Sequence, residues 1–167
     1  MPESLRTKLA RWRFNVIPAY RGTGARITYI AADYREISVE LPLSWRTRNY
    51  VGTIFGGSIY AAVDPIYMIM LMKNLGRDYV VWDKSATVRF RKPARTKLHA
   101  RFLLPLQELD DIRATLTPGG RIDRLYHVDL VDDAGTVHAE VEKTVHVRQH
   151  TGTSPSSAKR SQSQNAR

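Results

Sequence analysis

The sequence of 167 residues contains no cysteine. A disulfide framework, a cysteine-ligated zinc site and a thiol nucleophile are therefore excluded. Acidic residues are scarce relative to basic ones, with 16 Asp and Glu against 26 Lys and Arg, and the formal net charge is +10. This charge favours anionic partners, but by itself it does not distinguish nucleic acid, a membrane surface and a phosphorylated small molecule.

A long uninterrupted hydrophobic run is also missing. The most hydrophobic stretch, residues 51–71, contains Gly56, Gly57, Asp64 and Pro65 near its middle. A carboxylate at the centre of a bilayer costs roughly 2.5–3.5 kcal/mol on insertion scales, so a buried helix is the better interpretation. We therefore expect a cytoplasmic protein with no membrane partner.

The two ends of the chain differ in composition. In residues 4–16 an apolar residue recurs at helical spacing, and Ser4 can cap the start of a helix. From residue 149 onward no large apolar side chain occurs, which predicts a disordered tail over 149–167. The sequence thus predicts one domain over 1–148, beginning with an N-terminal helix. The apolar face of that helix consists of Leu5, Leu9, Trp12 and Val16.

In the middle of the chain, several strand patterns follow one another before and after a long helix pattern. Two strand patterns lie between residues 27 and 41, and a very apolar helix is predicted over 53–75, bent or divided at Pro65. About four strands and a short helix over 106–116 follow. Strands that occur in runs favour an antiparallel sheet, so we predict an α+β fold in which the sheet wraps around the apolar helix.

Asp64 is the most conspicuous candidate for chemistry. A buried, unpaired carboxylate in an apolar helix is unfavourable, so it requires a partner, a raised pKa or a position at a ligand-binding cavity. Gly56 and Gly57 precede it, and the free N–H groups at a helix start can stabilise a developing negative charge. The alternative is a structural role, in which Asp64 bonds a nearby backbone group or an arginine and only fixes packing.

These residues carry a family resemblance. The spacing Asn49-x5-Phe55-Gly56-Gly57-x6-Asp64 resembles the motif of hotdog-fold acyl-CoA thioesterases of the phenylacetate-pathway type. The segment 82–94 is similar to the second-strand signature of that superfamily, and the chain is most similar to an uncharacterised bacterial branch. The resemblance implies a hotdog fold, a homodimer or tetramer, and hydrolysis of an acyl thioester at a dimer interface.

The resemblance also implies roles for individual residues. Asp64 would be the general base or nucleophile, the Gly56 N–H the oxyanion donor and Asn49 the group that orients substrate or water. Phe55 and Gly57 would contact substrate. Phe55 stands where relatives often have His, which favours the alternative of a non-catalytic hotdog protein that binds an acyl thioester or another apolar ligand.

Asp83 is a further candidate. It lies near a position where some relatives carry a Ser or Thr that assists the attacking water, so the resemblance makes it a candidate catalytic residue. The alternative is an exposed acid at a strand end, paired with Lys84.

The densest basic run has two interpretations. It is either a solvated strand edge or a clamp for the phosphates of coenzyme A. A nucleic-acid interface is not favoured, because no recognised nucleic-acid-binding motif accompanies the charge. The five histidines show no metal-ligand spacing, so no metal and no cofactor are predicted. The run comprises Arg89, Arg91, Lys92, Arg95 and Lys97.

Overall fold

Six segments with alternating apolar and polar residues form one antiparallel sheet in the computed structural model, which describes residues 2–151. The strands are β1 (Arg26–Ile30), β2 (Glu36–Leu41), β3 (Tyr79–Phe90), β4 (Leu98–Leu103), β5 (Arg121–Val131) and β6 (Val137–Gln149). Their order in the sheet is β1-β2-β4-β5-β6-β3, with β1 and β3 at the two edges. The predicted α+β architecture is confirmed.

β6 extends to Gln149, the residue at which the sequence analysis begins the tail. The rest of that predicted tail, from residue 152, lies outside the described residues.

Five helices accompany the sheet in the described part of the chain. The short helix Pro18–Gly22 is not among the predicted elements; its first residue is a proline, which is well suited to the first position of a helix. No helix within residues 2–151 is long and apolar enough to cross a membrane. The helices are α1 (Leu5–Val16), α2 (Pro18–Gly22), α3 (Gly56–Val63), α4 (Ile66–Leu75) and α5 (Leu106–Thr115).

The apolar segment forms two consecutive helices rather than one. α3 begins at Gly56, three residues later than predicted, and Pro65 separates α3 from α4 as the sequence indicates. Ala62, Ile66 and Met70 are fully buried along this pair. The sheet curls around it, so that the pair forms the centre of the core.

α1 is fixed to the edge strand β1. The Asn15 amide donates to the Ile27 carbonyl (2.9 Å) and its oxygen accepts from the Ile27 N–H (2.8 Å). Ser4 caps the helix as predicted. The predicted apolar face points outward, with Leu5 86% and Trp12 62% exposed, whereas Phe14 on the opposite side packs against the core.

Candidate active site

Asp64 lies beside a second carboxylate and a buried lysine. Lys143, on β6, is only 2% exposed. Its Nζ is 2.8 Å from Asp64 Oδ1 and 2.8 Å from Asp83 Oδ2, and it also donates to the Asp64 carbonyl. Of the alternatives that the sequence leaves open for Asp64, a partner is therefore present, and it is Lys143. Asp83 belongs to the same cluster, while Lys84 pairs with Asp123 instead.

Local structure explains why these groups meet. Asp64 directly follows α3, and Tyr60 precedes it by one turn, so the Tyr60 hydroxyl donates to Asp64 Oδ1 at 2.7 Å. A β-bulge between Asp83 and Ser85 shifts the register of β3 against β6. Such bulges redirect side chains, and here the Asp83 carboxylate reaches the buried Lys143 ammonium.

The two carboxyl groups have opposite pKa shifts. Burial alone would raise the pKa of Asp64, but the hydrogen bonds from Lys143 and Tyr60 outweigh it and hold the pKa below its usual value. For Asp83 burial dominates over Lys143, and its pKa is raised. Among the described residues, Asp83 Oδ1 is buried without a hydrogen-bond partner. As the pH falls, Asp83 therefore takes up a proton before Asp64 does.

A cavity of about 380 Å³ opens at this cluster. It lies between α1 and α2 on one side and α3 on the other, with Phe14, Ile17, Tyr60 and Asp64 in its walls. The Asp64 side chain is 43% exposed, so a ligand in the cavity can reach the carboxylate. An ionised carboxylate beside an apolar cavity can accept a proton from water or attack an electrophilic carbonyl.

A second cavity, of about 400 Å³, lies at the other end of α3. The first N–H groups of a helix have no partner within the helix, so those of α3 provide donors at this end. Four of the residues that the sequence analysis singles out line this cavity: Asn49, Gly56, Arg91 and Lys92.

The glycine pair accommodates two aromatic rings. A Cβ atom on Gly57 would lie 2.3 Å from Phe55 Cε1, and one on Gly56 would lie 2.9 Å from Phe90 Cζ. The absence of a side chain at these two positions thus allows both rings to pack closely against the start of α3, independently of any ligand. Phe55 is 57% exposed, at the residue that precedes α3.

Asn49 closes its own loop. Its side-chain oxygen accepts from the N–H groups of Val51 (3.1 Å) and Thr53 (3.0 Å), and its amide donates to Thr53 Oγ1 (2.8 Å). These bonds occupy the polar atoms that would orient a substrate. Asn49 nevertheless lines the cavity together with Gly56, and its predicted role in orienting substrate stays a prediction.

The basic run does not act as one unit. Arg91 forms a two-pronged ion pair with Glu140 (2.9 and 2.6 Å), while Lys92 lines the cavity and is exposed. Arg89 and Arg95 are exposed and line no part of it. Lys92 is therefore the cation best placed to meet a ligand there.

The candidate residues thus form two groups rather than one. Gly56 and Asp64 are eight residues apart along α3, which corresponds to about 12 Å of helix. The oxyanion donor and the carboxylate of one chain therefore cannot contact the same carbonyl group.

Lys143 and Tyr60 were missed by the sequence analysis. The signal for Lys143 is the alternation of β6, in which Val141, Lys143, Val145 and Val147 share the buried face. A lysine in such a register requires a carboxylate partner, since a buried unpaired charge is very unfavourable. No comparable pattern marks Tyr60, because an aromatic residue is ordinary in an apolar helix.

Metal-ligating side chains do not cluster in the part of the chain that the structure describes. The histidines of β6 lie next to single carboxylates, with His138 beside Asp132 (3.1 Å) and His146 beside Asp123 (2.5 Å). Each imidazole therefore has a local acidic partner.

Comparison with known proteins places the chain among others of this architecture. The model of a family described as a domain of unknown function, DUF4442, matches residues 6–147. No curated protein sequence matches.

Solved structures resemble the whole domain. A Pseudomonas aeruginosa protein, PA5026, described as a probable thioesterase, is 21% identical, with 90% of this chain and 99% of that chain covered and a TM-score of 0.75. Thioesterase HI1161 of Haemophilus influenzae is 18% identical over 82% of this chain and 87% of its own, with a TM-score of 0.63. The thioesterase PA1618 of P. aeruginosa, solved as a mutant, is 15% identical over 89% and 96%, with a TM-score of 0.62. At these identities the likeness establishes the hotdog fold.

Proposed function

Because the chain belongs to the DUF4442 family and has the hotdog fold of structures named thioesterases, we propose that it hydrolyses an acyl thioester, with acyl-CoA as the substrate class. The observation that carries the proposal is the Asp64 carboxylate, held ionised by Lys143 and Tyr60 at the wall of an apolar cavity. Coenzyme A is anionic, which suits a chain with a net charge of +10.

In the proposed reaction Asp64 is the general base. Both side-chain hydrogen bonds that Asp64 accepts from the described residues go to Oδ1, which leaves Oδ2 for a water molecule. Asp64 takes a proton as the water oxygen attacks the carbonyl carbon; the carbon–sulfur bond then breaks, and the thiolate leaves and is protonated. Direct attack by Oδ2 on the carbonyl carbon, followed by hydrolysis of the anhydride, uses the same geometry.

In the proposed reaction the oxyanion donor is the Gly56 N–H, which one chain cannot bring to its own Asp64. The Gly56 N–H of the same chain is about 12 Å away along the helix. A homodimer with twofold symmetry solves this problem, because it can bring the α3 start of one protomer to the Asp64 of its partner. The exposed edge of β3 supports such pairing, since an open strand edge is a template for another strand.

The second candidate function is binding without catalysis. Phe55 in place of a polar residue and the ion pair that occupies Asp64 favour it. In this case the cavities hold an acyl thioester or another apolar ligand, and no bond is broken.

Release of free thiol from short, medium and aromatic acyl-CoAs tests the two functions. We expect Asp64→Asn to abolish hydrolysis, because an amide cannot accept the proton or attack, while Asp110→Asn, at an exposed acid on α5, leaves it unchanged. Undiminished turnover in Asp64→Asn would remove this residue from the mechanism. No turnover by the unaltered protein, together with binding of acyl-CoA, would establish the second function.

Light scattering tests the homodimer. The expected mass is at least twice the 19.0 kDa of one chain. A monomer at the concentration of the assay would contradict the shared site.

A further inference from the structure

We propose that the groove between α1 and the α3–α4 pair is an acyl-chain subsite, which makes medium-length unbranched acyl groups the substrate class of the Asp64 site. The inference rests on the proposed function, because it concerns the same carboxylate. What supports it is a third cavity, of about 280 Å³, which adjoins the one at Asp64.

The two cavities share part of one wall. Phe14 and Ile17 line both of them. From this shared wall, the near part, at Asp64, lies along Tyr60 and Asp64, whereas the far part lies along Ile66 and Ile69 of α4. In the proposed subsite, an acyl chain held at Asp64 passes Phe14 to enter the far part.

The far part suits an apolar chain. Its walls contain no acidic residue, and their polar members, Arg13, Tyr34 and Lys73, stand beside a majority of aliphatic side chains. A water molecule needs two to four polar partners, so hydrocarbon is the better occupant of such walls. The aliphatic walls include Ile27, Ile30 and Ile37 of the sheet and Ile66 and Ile69 of α4.

The groove also has a limited length. Asp64 and Lys73 are nine residues apart along the helical pair, which corresponds to roughly 13 Å. Lys73 is exposed, and its Nζ is 5.7 Å from the centre of the Tyr34 ring. The charged end of the groove is a poor place for methylene groups, so a chain that reaches Lys73 fills the subsite and a longer one must leave it.

Ile69→Trp tests the subsite by filling its far part. We expect kcat/KM for octanoyl-CoA to fall about tenfold or more, because a lost methylene contact has effects of that size. For acetyl-CoA, which does not reach Ile69, the change should stay within about twofold. Met72→Trp is the matched control: Met72 lies on the same helix, is 49% exposed and lines neither part of the groove.

A second variant and a second measurement check the result independently of the folding of Ile69→Trp. Ala10→Phe narrows the far part from the α1 wall and should reproduce the chain-length effect. Calorimetric binding of octyl-CoA, a thioether that cannot be hydrolysed, should weaken in Ile69→Trp relative to Met72→Trp, and thermal unfolding checks that each variant is folded.

The outcomes separate the subsite from the proposed function. Weaker octyl-CoA binding in Ile69→Trp, without hydrolysis by the unaltered protein, supports the subsite and overturns the thioesterase. Hydrolysis whose dependence on chain length is the same in Ile69→Trp, Ala10→Phe and Met72→Trp overturns the subsite and leaves the thioesterase standing.

Discussion

The two ends of α3 use polar groups in opposite ways. At the C-terminal end, Asp64, Asp83, Lys143 and Tyr60 contact one another in a partly buried cluster. At the N-terminal end, backbone N–H groups and the exposed Lys92 surround a cavity with mainly apolar walls. The first end directs its cation at its own carboxylates; the second has donors and charge left for a ligand. A reaction that needs both a carboxylate and an oxyanion donor must join the two.

Joining them within one chain is excluded by the length of the helix. About 12 Å separates Gly56 from Asp64, whereas both groups must lie within hydrogen-bond distance of one reacting carbonyl. In the proposed mechanism the motif is therefore a pair of half-sites, each stabilised by its own local contacts, and the proposed second copy completes each of them.

The largest expected effect is at the charge cluster. Lys143→Met removes the only cation that contacts both carboxylates within the described residues, and we expect the free energy of unfolding to fall by about 3 kcal/mol. This is the low end of the usual range, because Asp64 is 43% exposed and water screens its charge. Urea denaturation at neutral pH measures the change.

The control is a variant in which the cluster is uncharged. The triple variant Asp64→Asn, Asp83→Asn and Lys143→Met leaves no charge on these three side chains, and it should recover most of the lost stability. If Lys143→Met alone is as stable as the unaltered protein, the cluster is solvated and the contrast between the two ends disappears.

Asn49→Ala is the corresponding change at the other end. It removes three hydrogen bonds that close the loop before α3, and we expect a loss of about 1–2 kcal/mol in the free energy of unfolding. Thr53→Val is the matched change, because it removes only the hydroxyl that accepts from the Asn49 amide. If Asn49 also orients substrate, kcat falls in Asn49→Ala and not in Thr53→Val; equal kcat values would leave Asn49 a purely structural role.

The sequence predicts some features of the helix and its two ends but not others. The position of Asp64 in an apolar helix, the glycine pair and Pro65 are local features, so the sequence predicts the helix, its division and a partner for the acid. The identity of that partner depends on the packing of α3 against β6, which brings together Asp64 and Lys143, 79 positions apart. Sequence spacing carries no information about such packing, so the alternation of β6 marks Lys143 as buried but does not assign it to Asp64.

The same reasoning applies to the basic run. Its charge is visible in the sequence, but the ion pair of Arg91 with Glu140 depends on strand pairing. Likewise, the sequence places Leu5 and Trp12 on one face of α1, but it does not show whether this face points to the core or to solvent. The hydrogen bonds between Asn15 and β1 fix the orientation of the helix.

Lys92→Ala should change ligand binding rather than stability. If the cavity at the N-terminal end of α3 receives the phosphates of coenzyme A, loss of the Lys92 ammonium should raise KM for acyl-CoA about tenfold, with little change in kcat. Arg91→Ala should have a smaller effect, because Glu140 already engages the guanidinium. An acyl-pantetheine without the nucleotide serves as the control substrate, and an equal rise in its KM would contradict a phosphate contact.

The smallest expected effect is a difference in pH dependence between the two carboxylates of the cluster. The raised pKa of Asp83 means that the folded state holds its proton more tightly than the unfolded state does. Its stabilising contribution is therefore present below the unfolded pKa and is lost as the pH rises through the folded pKa. Asp64, with a lowered pKa, contributes in the opposite sense: its stabilisation is present above the unfolded pKa and is lost as the pH falls through the folded pKa.

Urea unfolding of Asp83→Asn and Asp64→Asn over a series from acidic to neutral pH separates these signs. The stability of the unaltered protein relative to Asp83→Asn should decrease as the pH rises, and relative to Asp64→Asn it should increase. Asn49→Ala, which removes no carboxylate, should show a constant difference over the whole series. The effect is small because Lys143 compensates both carboxylates at 2.8 Å. Differences of the same sign for the two aspartates would contradict the opposite pKa shifts of Asp64 and Asp83.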